Sequence, residues 1–284
     1  MSMSIKSIIR KICPKSLIKI ILAAKNKSKV LAYRLDMFLF PRKMQYHCSC
    51  CGLKYRSFVG GYYRKKSSRF NSSRYEHTKQ EVLCPVCRSL PRHRILALWF
   101  DAHKEWLGKS KILYFAPSRS EATWLKRNDV PCTTADLYKK ADLKLDIQAT
   151  GLPDESYDVI ICNHVLEHVD DFRVALKEMY RILRPGGSFI CSFPMDEKIE
   201  LVDEDPSVQT SDERLRRFGQ DDHKRVFGMK AEQFLIEAGF KVEKIVGEDY
   251  PKEILPVIGP ADYDMNILFC MYKGVIPKLS SKCA

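Results

Sequence analysis

Tyr157-Asp-Val-Ile-Ile-Cys162, the amphipathic stretch from Phe172 to Leu183, the turn Pro185-Gly186-Gly187 and then Ser188-Phe-Ile-Cys-Ser192 decide the fold. A short continuous apolar run reads as a strand covered on both faces, and such strands belong to parallel sheets. The stretch between the two runs supplies the crossover helix, and Pro and Gly punctuate its end. Upstream, Ile112-Leu-Tyr-Phe115 reads as a strand, Ser120 to Arg127 as a helix and Val130 to Ala135 as a second strand ending at Asp136. Downstream, Ala231 to Ala238 reads as a helix stopped by Gly239, followed by strands at Phe240 to Val246 and Asn266 to Lys273. One strand is hard to see; it lies near Leu145 to Ile147 or is replaced by the loop there. This alternation predicts an α/β domain built on an open, doubly wound sheet.

In such a sheet, ligands sit beyond the C-terminal ends of the strands. That rule singles out Ala116 to Ser120, Asp136, Asp146-Ile147 and Asn163-His164. An acid closing the second strand is placed to accept from two ribose hydroxyls. The same aspartate would serve as a helix cap, and its position alone does not choose between the two.

The front of the chain has a different character. Residues 1–46 hold eleven Lys or Arg and one acid, and residues 47–110 hold thirteen bases and four acids. Residues 111–284 hold twenty-four bases and thirty acids, so a front segment of +19 joins a back segment of −6 to give the net +13. A basic front of this kind suits a polyanion or an anionic membrane surface, or is a solvated face. Ile5, Ile8, Ile9 and Ile12 recur at helical spacing up to Pro14, Leu17 to Leu22 continue the pattern, and a third apolar helix runs from Val30 to Phe40. These helices lie in a membrane interface or pack on the protein's own core, and both readings stay open. No run approaches the ~18 apolar residues of a membrane span, and no secretory signal is evident, which favours the cytoplasm.

Eleven cysteines are an odd count, and Cys132, Cys162, Cys191 and Cys270 fall singly in apolar runs, as small core hydrophobes do. Five others cluster. Cys48-Ser-Cys-Cys51 and Cys84-Pro-Val-Cys87 are two C-x2-C turns, each placing two thiolates together, and the pair supplies a closed, structural Zn²⁺ site. Cys50 is an alternative ligand for Cys48 or Cys51, and His47 a weaker one. A redox C-x-x-C is the other reading. The chain thus divides into a basic helical segment (1–46), a zinc-ribbon-like module (47–91), a connecting helix (92–110) and the α/β domain (111–284), in which 195–228 is an insertion suited to a substrate-facing lid.

Three stretches carry a resemblance: Asp146-Ile-Gln-Ala-Thr-Gly-Leu-Pro-Asp-Glu-Ser-Tyr-Asp158, Val165-Leu-Glu-His-Val169 and Arg181-Ile-Leu-Arg-Pro-Gly-Gly187. In this order they resemble the type-11-like subset of class I S-adenosylmethionine-dependent methyltransferases over residues 111–274. The zinc-type front and Phe218-Gly-Gln-Asp-Asp-His-Lys-Arg-Val-Phe-Gly228 resemble one bacterial branch of it. The resemblance implies a Rossmann-like sheet of seven strands. It implies that Ala116, Pro117 and Ser118 line the methionine part of the cofactor, Asp136 binds the ribose and Leu137 lies beside the adenine. Asp146 would accept from the adenine amino group, Ile147 would contact the ring, and Asn163 and His164 would face the sulfonium. One departure stands out: the glycine-rich loop after the first strand is replaced by Ala116-Pro117-Ser118-Arg119.

Methyl transfer from a sulfonium needs chiefly orientation, and an oxygen nucleophile gains from a base that titrates near neutrality. His223 is the candidate base, with Asp222 to orient it or bind substrate. Arg217 and Arg225 are candidates to hold an anionic substrate group. Glu167 and His168 read as structural. The leading expectation is O-methylation of a small molecule or glycan, such as a lipid-linked or surface-polysaccharide sugar, with residues 1–25 as a peripheral contact on the inner membrane face. RNA methylation is the alternative, because Tyr62, Tyr63, Arg64, Lys65, Lys66, Arg69, Phe70 and Arg74 interleave aromatics with cations. A third reading is an interaction protein with an inactive cofactor domain.

Overall fold

The computed structural model describes residue 28 and residues 30–60, 81–255 and 267–274. The amphipathic stretches from Ile5 to Leu22 and the aromatic-cationic run at 62–74 lie outside these residues. The helix expected from Val30 is present over residues 30–39.

Two short antiparallel ribbons carry the cysteine turns. β1 (Tyr46–His47) pairs with β2 (Lys54–Tyr55) around the first turn, and β3 (Val59–Gly60) pairs with β4 (Glu81–Leu83), which leads into the second. The Pro91–Ala102 helix follows, started by a proline at its first position, where a missing N–H costs nothing.

The α/β domain is a six-stranded sheet. Its strands are β5 (Ile112–Phe115), β6 (Thr133–Ala135), β7 (Tyr157–Asn163), β8 (Leu183–Ser192), β12 (Lys241–Val246) and β13 (Ile267–Tyr272), in the order β12-β13-β8-β7-β5-β6. β8, β7, β5 and β6 are mutually parallel, and β13 and β12 are antiparallel to their neighbours. The seventh strand, least visible in the sequence, is reduced to a single parallel bridge between Ala135 and Leu143. The segment Tyr138-Lys-Lys-Ala-Asp142 offers no apolar run to bury, and Asp142 instead accepts from the Thr134 N–H at 2.8 Å, tying the loop to the edge of the sheet.

Successive side chains of a strand point to opposite faces, and the two cores divide accordingly. Leu113, Phe115, Ile160 and Cys162 pack on the face covered by the Phe172–Ile182 helix. Ile112, Tyr114, Val159 and Ile161 pack on the other face, in one cluster with Trp99, Phe100, Trp124, Cys48 and Cys84. The cysteine-bearing front therefore shares a core with the sheet. The Phe172–Ile182 helix buries Phe172, Ala175, Leu176, Met179 and Ile182, and the Asp171 carboxylate caps it by accepting from the Arg173 N–H at 2.8 Å. At Gly187 an added Cβ would lie 2.8 Å from the Asp158 carbonyl oxygen, so only glycine fits where β8 passes β7.

The insertion after β8 forms its own three-stranded sheet from β9 (Met195–Asp196), β10 (Val202–Glu204) and β11 (Arg225–Gly228), in the order β10-β11-β9, with the Ser211–Phe218 helix between β10 and β11. The Glu232–Glu237 helix then returns the chain to β12.

Candidate active site

The chain leaves β5 to form β6 on one side and β7 on the other, so the C-terminal ends of β5 and β7 mark the point where the strand order reverses. A cavity of about 620 Å³ opens there, where open α/β sheets bind ligands. Ala116, Asp136, Leu137, Asp146, Ile147 and His164 line it, as does Asp222 from the insertion. Pro117, Ser118, Asn163 and His223 are not on its wall.

The first loop explains part of that division. Ser118 caps the Arg119–Arg127 helix: its hydroxyl accepts from the Glu121 N–H at 3.3 Å, and the Glu121 carboxylate accepts from the Ser118 N–H at 2.7 Å. Glu121 is buried, and its other oxygen accepts from the Asn163 amide at 3.0 Å. The Asn163 carbonyl oxygen in turn accepts from the Ser192 hydroxyl at 3.2 Å. Asn163 thus clamps the ends of β5, β7 and β8, and the Ser118 hydroxyl is committed to the helix. Burial opposes the charge on Glu121, but His93 and the hydrogen bonds from Ser118 and Asn163 hold its carboxyl below the usual range. Glu121 stands three residues after Ser118, the capping-box spacing that marks it in the sequence.

Where the glycine-rich loop is missing, Ala116 adopts a φ of +47°, and its N–H donates to the Ala135 carbonyl at 2.8 Å. His164, at the end of β7, has a φ of +52°. Left-handed backbone costs a non-glycine residue roughly 1–2 kcal/mol, and such residues concentrate at binding sites. Asp136 turns the chain after β6, one oxygen accepting from the N–H groups of Tyr138 and Lys139 at 2.8 and 2.7 Å. No helix follows, so the carboxylate caps a turn and not a helix, and the residue lines the cavity. Asp146 similarly accepts from the Gln148 N–H at 2.9 Å.

The far wall is built from the Val165-Leu-Glu-His-Val169 turn and the insertion. Arg225 is buried and donates to the carbonyls of Leu166, Val169 and Asp170 at 2.6 to 2.8 Å, and to Glu204 at 3.1 Å. Arg217 is paired with Asp203 and Asp205. Neither guanidinium expected to hold an anion lines the cavity; Arg214 and Lys224 do.

Glu167 is fully buried, and His164 Nδ1 donates to its Oε1 at 3.1 Å. Burial opposes ionisation of Glu167, but that hydrogen bond and the neighbouring imidazoles outweigh it and hold its carboxyl well below the usual range. His168 lies on the cavity wall, and its Nδ1 donates to the Asp222 carbonyl at 3.3 Å. His223 sits behind it, ring edge to ring face at 4.8 Å, 3% exposed and pushed below the ordinary imidazole range by burial. The residues read as structural, Glu167 and His168, are therefore packed with the candidate base.

In the front module Cys48, Cys51, Cys84 and Cys87 converge, with Sγ–Sγ separations of 3.6 Å for Cys48–Cys87 and 3.8 Å for Cys51–Cys84. Four sulfurs about 2.3 Å from one tetrahedral ion would be about 3.8 Å apart. The Ser89 and Tyr55 hydroxyls lie 3.1 Å from the sulfurs of Cys48 and Cys51, as outer partners of thiolate ligands do. Cys50 is buried and turns its thiol to the His93 carbonyl at 3.3 Å, outside the group of four.

Residues 118–191 match the family described as "Methyltransferase domain". The uncharacterized methyltransferase YcgJ of Bacillus subtilis is 29% identical over 114 residues, 39% of this chain and 40% of that protein. Demethylmenaquinone methyltransferase of Listeria monocytogenes is 36% identical over 59 residues, 21% of this chain and 25% of that protein. The chain thus spans less than half the length of either relative. Among solved structures, a SAM-dependent methyltransferase of Thermotoga maritima is 18% identical, covers 72% of this chain and 97% of its own, and superposes with a TM-score of 0.42. Residues 118–191 thus match a methyltransferase domain, and the sheet order and the position of the cavity fit that match.

Proposed function

We propose that the protein is an S-adenosylmethionine-dependent methyltransferase acting on an oxygen of a small molecule or glycan. The observation that carries this reading is the convergence of Ala116, Asp136, Leu137, Asp146 and Ile147 on one cavity at the switch point of the sheet. Asp136 has one oxygen committed to its turn, leaving the other to accept from ribose hydroxyls. Asp146 accepts from the adenine amino group, and Leu137 and Ile147 contact the ring. The methyl group then points toward His164 and His168, and the acceptor enters under the insertion beside Arg214, Asp222 and Lys224. His223, set back from the wall, acts through His168 rather than on the acceptor directly.

Two further features bear on the acceptor. Four thiolates at tetrahedral spacing support a structural Zn²⁺ held by Cys48, Cys51, Cys84 and Cys87, which orders the front module and performs no chemistry on substrate. The 30–39 helix and Phe40 leave Leu31, Leu35, Phe38, Leu39 and Phe40 exposed among the described residues, beside exposed Arg34, Arg42 and Lys43. Apolar side chains flanked by cations favour an anionic membrane surface, hence a lipid-linked acceptor.

Calorimetric titration with S-adenosylmethionine, followed by methyl transfer assays on lipid-linked sugars, free glycans and RNA, tests the reading. Transfer to RNA alone would replace the glycan acceptor, and failure to bind the cofactor would leave the interaction-protein reading.

A further inference from the structure

The Glu167 cluster contains more buried polar atoms than its hydrogen bonds satisfy. The partner of His168 Nδ1 is a backbone carbonyl, which only accepts, so Nδ1 donates there and Nε2 is the ring nitrogen turned toward Glu167. Nε2 lies 3.9 Å from Glu167 Oε1. The gap is too wide for one hydrogen bond. Among the described residues, Glu167 Oε2 and His223 Nδ1 are buried without a hydrogen-bond partner. One ligand atom from each of Glu167, His168 and His223 lies within 4.8 Å of the others. A buried carboxylate packed against two imidazoles, with a ring nitrogen and a carboxylate oxygen left unpartnered, is the donor set of a cation site.

We propose that Glu167, His168 and His223 bind a divalent transition-metal ion at the inner wall of the cofactor cavity. Metal–nitrogen and metal–oxygen bonds of about 2.1 Å each span the 3.9 Å gap between His168 and Glu167. Two imidazoles and one carboxylate suit Zn²⁺, Mn²⁺, Co²⁺ or Fe²⁺ rather than an all-oxygen ion such as Ca²⁺. Asp222 supplies the outer hydrogen bond that fixes the His168 tautomer, through its carbonyl at 3.3 Å and with its carboxylate at 3.5 Å. His168 is on the cavity wall, so an ion held there would lie beside the acceptor.

The role of the ion rests on the methyltransferase reading; its binding does not. An acceptor hydroxyl coordinated there loses its proton to solvent, and its oxygen attacks the methyl carbon. The carbon–sulfur bond breaks, its electron pair stays on sulfur, and the cofactor leaves as a neutral thioether. His223 then serves as a ligand instead of a base.

The test is Mn²⁺ binding to the full chain by calorimetry and electron paramagnetic resonance, because this ion prefers oxygen and nitrogen donors to the four thiolates. Zinc content and S-adenosylmethionine binding are measured on the same samples. One Mn²⁺ per chain is expected in the wild type, with affinity lost by at least about tenfold in His168→Ala and in the isosteric Glu167→Gln. Unchanged zinc content and circular dichroism in His168→Ala would show that the loss is local. A wild-type protein that takes up no Mn²⁺, Co²⁺ or Zn²⁺ beyond the thiolate site overturns the proposal, as do variants that bind Mn²⁺ like the wild type. Mn²⁺ uptake without cofactor binding supports the metal site and contradicts the methyltransferase reading; cofactor binding without Mn²⁺ uptake does the reverse.

Discussion

Asp136 performs two tasks with two oxygens, and substitution separates them. Asp136→Asn keeps an acceptor for the N–H groups of Tyr138 and Lys139 while removing the charge offered to ribose. Hydrogen bonds to charged groups contribute about 1.5–3 kcal/mol, so cofactor affinity is expected to fall about tenfold to a hundredfold at unchanged thermal stability. Asp136→Ala loses the turn as well, and its melting temperature is expected to drop. Calorimetry and a thermal melt on both variants check this pair. Away from the site, Glu178 accepts from the Arg181 guanidinium at 2.7 Å and from the Thr150 N–H at 2.9 Å. The Arg181 hydrogen bond holds its carboxyl down to about 2. A depressed carboxylate contributes stability that is complete above its unfolded pKa of about 4.3 and is lost as pH falls toward the folded value. Glu178→Gln is therefore expected to lose about 1 kcal/mol at neutral pH, after allowing for solvent screening, and to show no deficit near pH 2. Urea titrations at both pH values measure the difference.

At the scale of elements, the front module is tied to the rest of the chain by Arg94. That guanidinium is fully buried and donates to the Ser89 carbonyl at 2.8 Å and to the Ile254 carbonyl at 2.7 Å, joining the second cysteine turn to the segment after β12. Cys84→Ser is expected to abolish zinc retention through gel filtration, read by atomic emission, whereas Cys50→Ser is expected to retain one ion per chain. The 30–39 helix carries a separate expectation. Phe38→Ser with Leu35→Ser should reduce sedimentation with vesicles containing anionic lipid by at least several-fold while leaving cofactor binding unchanged; equal sedimentation would contradict the membrane-facing reading. The strands and both cysteine turns were legible because each is a local pattern: unbroken apolar runs at β5, β7 and β8, and paired thiols two residues apart. Three features were not local. The strand expected near Leu145 to Ile147 forms no ladder there, and one parallel bridge at Leu143 takes its place. Arg225 read as a substrate ligand, although the carbonyls it fills come from a turn more than fifty residues earlier in the chain. His223 lies against Glu167 and His168 only because the folded insertion brings it there, which no local pattern shows.

For the whole molecule, the shared core has a thermodynamic consequence. Cys48 and Cys84 belong to the same buried cluster as Trp99, Trp124, Tyr114 and Ile161, so the front module and the sheet are expected to unfold together. Stripping the thiolate-bound ion with a chelator should lower a single melting transition rather than create a second one, which scanning calorimetry resolves. The same continuity fixes the cofactor cavity, since the Arg119–Arg127 helix packs on the Pro91–Ala102 helix while its first turn, through Glu121 and Asn163, holds the ends of β5 and β7. The central claim is that this cavity binds S-adenosylmethionine through Asp136. Calorimetric titration of the zinc-replete full chain measures it most directly. Saturable binding of one cofactor per chain, weakened at least tenfold in Asp136→Asn, is the result the account requires. A folded wild-type protein that takes up no cofactor, or an Asp136→Asn variant that binds it as tightly, would contradict it.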